Sequence, residues 1–205
     1  MYKKLSILIL LLAAVLGATA AQPESAASLM AKCAAKVNSA PSWHIRFTFN
    51  TGGQTLHCAM TLARQRFAID AGVARIWYDG STQWSYVNES KQLTVTEPTA
   101  AELLDANPFV ILTGYDKVYN VRLLDKIGGL QQVELVAKSA SNPVSKAVIS
   151  IDLADNLPKK VTVSMQSGQT ATMTITEIKR GSNPKATTFR YDEKVYPASE
   201  IIDLR

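Results

Sequence analysis

Histidine and cysteine are scarce in this chain, two of each among 205 residues, and their scarcity excludes much chemistry. No pairing of His44 or His57 with Cys33 or Cys58 has zinc-site spacing, so no metal centre is expected. There is no Gly-x-Ser-x-Gly, no His-Glu-x-x-His and no glycine-rich phosphate loop. The main acidic residues (Asp79, Asp116, Asp125, Asp152 and Asp155) are scattered over loops, and no pair recurs at a spacing that brings two carboxylates into one cleft. No enzyme and no cofactor are therefore expected. Lysine and arginine do not cluster on any element, which argues against nucleic acid as a partner. His44 and His57 alternate with apolar residues on neighbouring strands and read as rim or solvent-facing side chains.

A membrane-spanning run is also lacking. Leu5 to Leu16 is apolar apart from Ser6, too short to cross a bilayer comfortably, and is preceded by Lys3 and Lys4. Ala18-Thr19-Ala20 then supplies a small-x-small cleavage pattern, with cleavage after Ala20 or Ala21. Residues 1–21 are expected to be a removed secretion signal, leaving 22–205 as one domain of 184 residues, enough for a proper core. Without Lys3 and Lys4 the chain carries 20 basic against 17 acidic residues, a net charge of +3 that serves solubility. In an oxidising compartment Cys33 and Cys58 are expected to pair, closing a loop of 24 residues. The chain-entropy argument gives such a bridge roughly 3 kcal/mol.

What is present is alternation. A short helix is expected over Ala26 to Val37, with Leu29, Met30, Cys33 and Val37 on one stripe and Ser25 or Ser28 as cap. Strands follow. Trp43, Ile45, Phe47 and Phe49 share a face, as do Leu56, Cys58, Met60 and Leu62, and Phe67 and Ile69 continue it. Asp79-Gly80 turns a hairpin rich in rings: Trp77, Tyr78, Trp84 and Tyr86. A four-residue turn would pair Trp77 with Trp84; a two-residue turn would put Tyr78 beside Ser81. Thr99-x-x-Glu102 is a capping box followed by Leu103 and Leu104. Asn107-Pro108 starts a second short helix whose run Phe109, Val110, Ile111 and Leu112 is stopped by Gly114. Further strands centre on Val121, Leu135, Ile149, Val163 and Met173. The close strand spacing excludes a doubly wound or α/β-barrel architecture. Either the sheet folds over an ordinary sandwich core, or it curves around something.

Four stretches in order carry a resemblance: Arg64-Gln65-Arg66-Phe67; Asp79-Gly80-x-Thr82-x-Trp84-x-Tyr86; Asn107-Pro108-Phe109; and the closing TTFRYDEKVYPASEIIDLR. This set resembles the periplasmic outer-membrane lipoprotein carrier family, LolA, over nearly the whole chain after the signal. The sequence departs from the family pattern at Gln65 and at Asp192-Glu193-Lys194, where proline is usual, and its cysteine pair is not a general family feature.

The resemblance implies a mainly β (α+β) fold. A single curved antiparallel sheet would form an incomplete β-barrel, its apolar concave face covered by the N-terminal helix and a short helical lid. It implies a monomeric carrier that shields the acyl chains of lipoproteins or lipids between an inner-membrane donor complex and an outer-membrane acceptor, in the periplasm of a Gram-negative type envelope. The alternative on the same half-barrel is a sensor module that holds lipoprotein or a protein partner without transporting it. The candidate cavity surface is Trp43, Phe47, Phe49, Met60 and Leu62, with Phe67, Ile69, Trp84 and Tyr86. The lid would be Leu103, Leu104, Phe109, Ile111 and Leu112. Arg64 falls at the family arginine that bonds lid carbonyls, with Arg66 competing for the role.

Overall fold

The computed structural model describes residues 24–99, 102–103, 107–112 and 114–205. The expected signal 1–21 and the lid residue Leu104 lie outside the described residues. Helix α1 spans Ala26–Asn38, and Ser25 caps it by accepting a hydrogen bond from the Ser28 N–H at 3.1 Å. Ala26, Leu29, Met30 and Cys33 form its buried stripe, as the helical spacing dictates.

The strands are β1 Ser42–Thr51, β2 Gln54–Ala63, β3 Arg66–Asp70, β4 Ala74–Tyr78, β5 Gln83–Val87 and β6 Gln92–Thr96. After the lid come α2 Tyr115–Val118, β7 Tyr119–Ile127, β8 Leu130–Ala137, β9 Val144–Asp152, β10 Leu157–Met165, β11 Thr170–Gly181 and β12 Glu200–Asp203. All the strands join one open sheet in the order β12-β6-β5-β4-β3-β2-β1-β11-β10-β9-β8-β7. The sheet is curved but not closed, an incomplete barrel. Local hairpins build each half, and β1 pairing with β11 joins them.

Two details differ from expectation. The second lid helix is a 3₁₀ turn, Pro108–Leu112, in which the Val110 N–H bonds the Asn107 carbonyl at 3.0 Å. Five residues including β-branched Val110 and Ile111 favour that tighter, shorter turn. And the sheet is not wholly antiparallel: β12 runs parallel to β6, Glu200 to Asp203 against Gln92 to Val95. The tail crosses the outer face before it reaches the edge, so it arrives running the other way.

The concave face carries the main core. Phe47, Met60, Leu62, Phe67, Ile69, Leu135, Ile149 and Met173 are buried there, beneath the α1 stripe and the lid residues Phe109 and Ile111. The apolar side changes face at β4. Ile76 and Tyr78 belong to the concave cluster, while Trp77 belongs to a second cluster with Tyr86, Leu93 and Val95 on the convex side. On the concave side of β5 and β6 the half-buried residues are Gln83, Ser85, Thr94 and Thr96. The hairpin is rich in rings because β4 faces apolar surroundings on both sides.

The register explains this placement. Trp77 pairs with Trp84 and Tyr78 with Gln83 across the turn Asp79–Thr82. Trp84 and Tyr86, expected among the concave rings, therefore lie on the convex face with Trp77. A second correction concerns the sulfurs: Cys33 and Cys58 are both buried free thiols. Burial, with a smaller contribution from Asp155, pushes the Cys33 thiol up to about 12, and burial chiefly raises Cys58 as well. Little thiolate forms at either, and thiolate is the species that starts disulfide exchange.

Candidate functional site

The site begins at the C-terminal end of α1. The Trp43 indole Nε1 donates to the Val37 carbonyl at 2.6 Å, tying the helix end to β1. Ser39 donates its N–H and hydroxyl to the Lys36 carbonyl, at 3.1 and 2.8 Å. Arg180 Nη2 donates to the Ser39 carbonyl at 2.6 Å. These bonds satisfy carbonyls that a helix end otherwise leaves open.

The lid is built from its own sequence signals. The Thr99 N–H and hydroxyl donate to Glu102 Oε2 at 2.7 and 2.8 Å, forming the capping box. The Asn107 side-chain oxygen, buried, accepts from the Phe109 N–H at 3.0 Å. Gly114 ends the segment at φ 69°, a left-handed conformation glycine adopts at little cost.

Between α1, the lid and the β2–β3 turn lies a cavity of about 210 Å³. Its wall includes Leu62 from the sheet, Leu103, Phe109, Val110 and Leu112 from the lid, and Ala34 and Val37 from α1. Its mouth is formed by Asn38, Arg64 and Gln65. Of the sequence candidates, Leu62, Leu103, Phe109, Leu112 and Arg64 meet here. Trp43, Phe47, Met60, Phe67, Ile69 and Ile111 are buried in the same concave cluster, and Phe49 packs half-buried against it.

Tyr78 lines the cavity, with its ring 5.3 Å from Phe67, and sequence reasoning missed it. Its alternation with Trp77 was the available signal. Val37 stood on the predicted helical stripe without being assigned to the site.

Arg64 occupies the two-residue turn between β2 and β3 with φ 56°, exposed at the mouth. Among the described residues it makes no hydrogen bond to the lid, and carbonyls 104–106 and 113 lie outside them. Arg66 is turned the other way, its guanidinium 4.7 Å over the buried Phe189 ring. The mid-chain cavity is thus an apolar chamber with a polar rim. No group of metal-binding side chains occurs among the described residues.

The convex side carries a cover of its own, residues 182–205. Tyr196 stacks 5.1 Å from Trp77 and 5.8 Å from Tyr86, and Tyr191 lies 5.9 Å from Trp77. Arg190 bridges Asp79 at 2.9 Å, and the Arg75 guanidinium sits 4.9 Å over Tyr196. The Tyr86 hydroxyl donates to the Pro197 carbonyl at 3.2 Å.

The sequence model of the outer membrane lipoprotein carrier protein LolA matches residues 16–169, most of the chain. The chain belongs to the LolA family. The match ends before β11, so the convex cover lies beyond it. Its fold is similar to that of an uncharacterized conserved protein from Thermus thermophilus, at 14% identity and a TM-score of 0.57, over 87% of this chain and 98% of that one. Looser likenesses include the LolA superfamily protein NE2245 from Nitrosomonas europaea (12% identity, TM-score 0.43, 83% and 99% covered). Another is the MucA/MucB complex of Pseudomonas aeruginosa (13% identity, TM-score 0.44, 82% and 62% covered). No curated protein matches this LolA-family chain.

Proposed function

We propose that this protein is a monomeric periplasmic carrier: after removal of residues 1–21, the domain 22–205 shields the acyl chains of lipoproteins or lipids on their way from an inner-membrane donor complex to an outer-membrane acceptor. The observation that supports it is the apolar concave cavity closed by a lid whose described contacts with the sheet are apolar. LolA family membership supports it as well. It needs no cofactor and no catalytic residue.

The physics fits. An exposed chain of ~16 carbons costs on the order of 10 kcal/mol in water, at about 0.8 kcal/mol per CH₂. A carrier must shield that surface and still let go. The closed cavity, about 210 Å³, is smaller than the roughly 300–1,000 Å³ of typical ligand pockets. Loading must therefore lift Phe109 and Leu112 from the sheet, and their lost contacts offset part of the chain's burial. Release then recovers them. The surface offered to the chain is Leu62, Phe67, Ile69, Met60 and Phe47, with Trp43 and Phe49 at its borders.

Small closed volume also favours a second reading, a half-barrel module that holds a protein partner and keeps its cavity shut. Native mass spectrometry of protein purified without detergent separates the two. Copurifying lipid or acylated peptide is expected. A lipid-free protein in a stable complex with an envelope partner would replace the carrier reading with the second.

A further inference from the structure

The concave face changes character across the first half of the sheet. Strand register sets Leu62, Phe67, Tyr78, Gln83 and Thr96 in one row, each directly opposite the next. Leu62 and Tyr78 line the chamber. Directly opposite residues hold their Cβ atoms about 5 Å apart, so Gln83 stands one step beyond the chamber wall. The neighbouring row, Ile69, Ile76, Ser85 and Thr94, repeats the change. An apolar surface thus passes into a half-buried polar shelf of Gln83, Ser85, Thr94 and Thr96.

One atom of that shelf is not explained by the fold. Gln83 Nε2 donates to the Ser85 hydroxyl at 3.2 Å. Gln83 Oε1 is buried and, among the described residues, accepts no hydrogen bond. A desolvated carbonyl oxygen without a donor costs free energy, and native folds rarely keep one. From Thr96, opposite Gln83, the chain runs through the Thr99/Glu102 box to Leu103 at the chamber wall. Lifting the lid for loading therefore uncovers the Gln83 row together with the chamber. The group that suits Oε1 is a donor held where apolar surface meets polar surface. A secondary amide that carries an acyl chain has its N–H at that boundary. An ester has the same carbonyl and no donor.

We propose that Gln83 reads how the acyl chain is attached: its Oε1 accepts the N–H of an amide-linked chain, which runs past Tyr78 into the chamber while the rest of the cargo lies over Ser85, Thr94 and Thr96. This rests on the carrier reading for the chamber and adds a preference for amide-linked over ester-linked chains.

The experiment is isothermal titration calorimetry of the purified protein and of Gln83→Met with N-methyldodecanamide, N,N-dimethyldodecanamide and methyl dodecanoate. The three ligands share a chain and a carbonyl, and only the first carries an N–H. Gln83→Met should lose about tenfold of the affinity for N-methyldodecanamide, roughly 1.4 kcal/mol, and stay within about twofold of the parent for the other two. The urea midpoint of the empty variant should equal or exceed that of the parent, because the substitution removes an unpaired buried acceptor. Equal losses for all three ligands would mean that Gln83 acts on the shape of the chamber, and overturn the proposal. An affinity for N-methyldodecanamide that Gln83→Met leaves unchanged overturns it too, and both results leave the carrier reading standing. A lowered urea midpoint also overturns it, since Gln83 would then be satisfied within the fold. If none of the three ligands binds the parent protein, the chamber is not an acyl site and both readings fall.

Discussion

Both faces of the sheet are covered by short, poorly regular segments, but the two covers are fastened in different ways. The concave cover, Pro108–Leu112, is held by its own Asn107 cap and by apolar packing of Phe109, Ile111 and Leu112. The convex cover is held by directed contacts. Arg190 pairs with Asp79, Tyr191 donates to the Tyr196 carbonyl at 2.5 Å, and Ser199 Oγ donates to the Ser90 carbonyl at 3.0 Å. β12 then adds backbone pairing, and the Leu204 N–H reaches the Val95 carbonyl at 2.9 Å. Apolar contact is non-directional and can be traded for another apolar partner at little net cost. A hydrogen bond broken without replacement leaves a desolvated donor or acceptor. On the carrier reading proposed above, the concave cover is the one that gives way to ligand and the convex cover is the permanent one.

The largest effect should come from breaking the permanent side. Trp77→Ala removes the ring on which Tyr191 and Tyr196 rest and should cost about 3–5 kcal/mol in urea denaturation. Phe109→Ala, at an equally buried ring, should cost no more than about 2 kcal/mol, because a segment that opens locally loses little when one of its contacts goes. Equal costs for the two would erase the distinction.

Next in size is the functional consequence of the mouth arginine. With purified donor and acceptor membranes, Arg64→Leu should still take up lipoprotein but pass it on about tenfold less, roughly 1.4 kcal/mol of altered balance. Normal transfer by Arg64→Leu with loss in Arg66→Leu would assign the expected lid-bonding role to Arg66 instead; normal transfer by both would remove that role from this protein.

A smaller effect sharpens the comparison through pH. Burial alone would raise the Asp79 carboxyl, but bonds from Thr82, Ser81 and Arg190 outweigh it and hold it below its ordinary value of 3.8. A carboxyl lowered by folding contributes stability above 3.8, and that contribution fades as pH falls below 3.8 through the folded value. Tryptophan fluorescence of the convex cluster should therefore change in that acidic window, and the change should be absent in Asp79→Asn. The smallest effect is on the thiols. Cys33 and Cys58 should react with a thiol reagent at pH 8 only after denaturant is added. Because the folded Cys33 thiol is raised from 9.0 to about 12, its contribution to stability is intact below pH 9 and is lost as pH rises toward 12. Mass mapping that finds a Cys33–Cys58 bond in fresh native protein would contradict the free pair.

Local signals were legible where one residue type has one use. Ser25, the Thr99/Glu102 box, Asn107 and Gly114 each mark the boundary the sequence indicated. The strand centres at Val121, Leu135, Ile149, Val163 and Met173 all fall within strands, since alternation needs no knowledge of partners. The side on which the hairpin rings lie was not legible. Trp77 and Tyr78 are both large and apolar, so β4 alternates between two apolar faces and the period-2 signal vanishes. The β1–β11 pairing and the parallel docking of β12 join residues more than a hundred positions apart and leave no local trace. For the candidate site, Leu62, Phe109 and Leu112 were visible as apolar positions on the right elements, whereas the chamber and its mouth arise only when α1 is laid against the β2–β3 turn.

The parallel strand at the sheet edge also sets an order of events. β12 contains residues 200–203, and its partner β6 was made more than a hundred residues earlier. Until β12 has been made and has docked, Leu93 and Val95 lack a neighbour on one side, and the rings of Trp77, Trp84 and Tyr86 have no roof. Pairing so distant in sequence carries a large loop-closure entropy and comes late when chains fold. The nascent chain therefore carries an exposed, sticky aromatic patch from the making of β6 to that of β12, and quenching of that patch marks the final act of folding. In a refolding experiment followed by tryptophan emission, Trp43 in the concave cluster reads the packing of the sheet, and a later phase from Trp77 and Trp84 reads the closing of the tail.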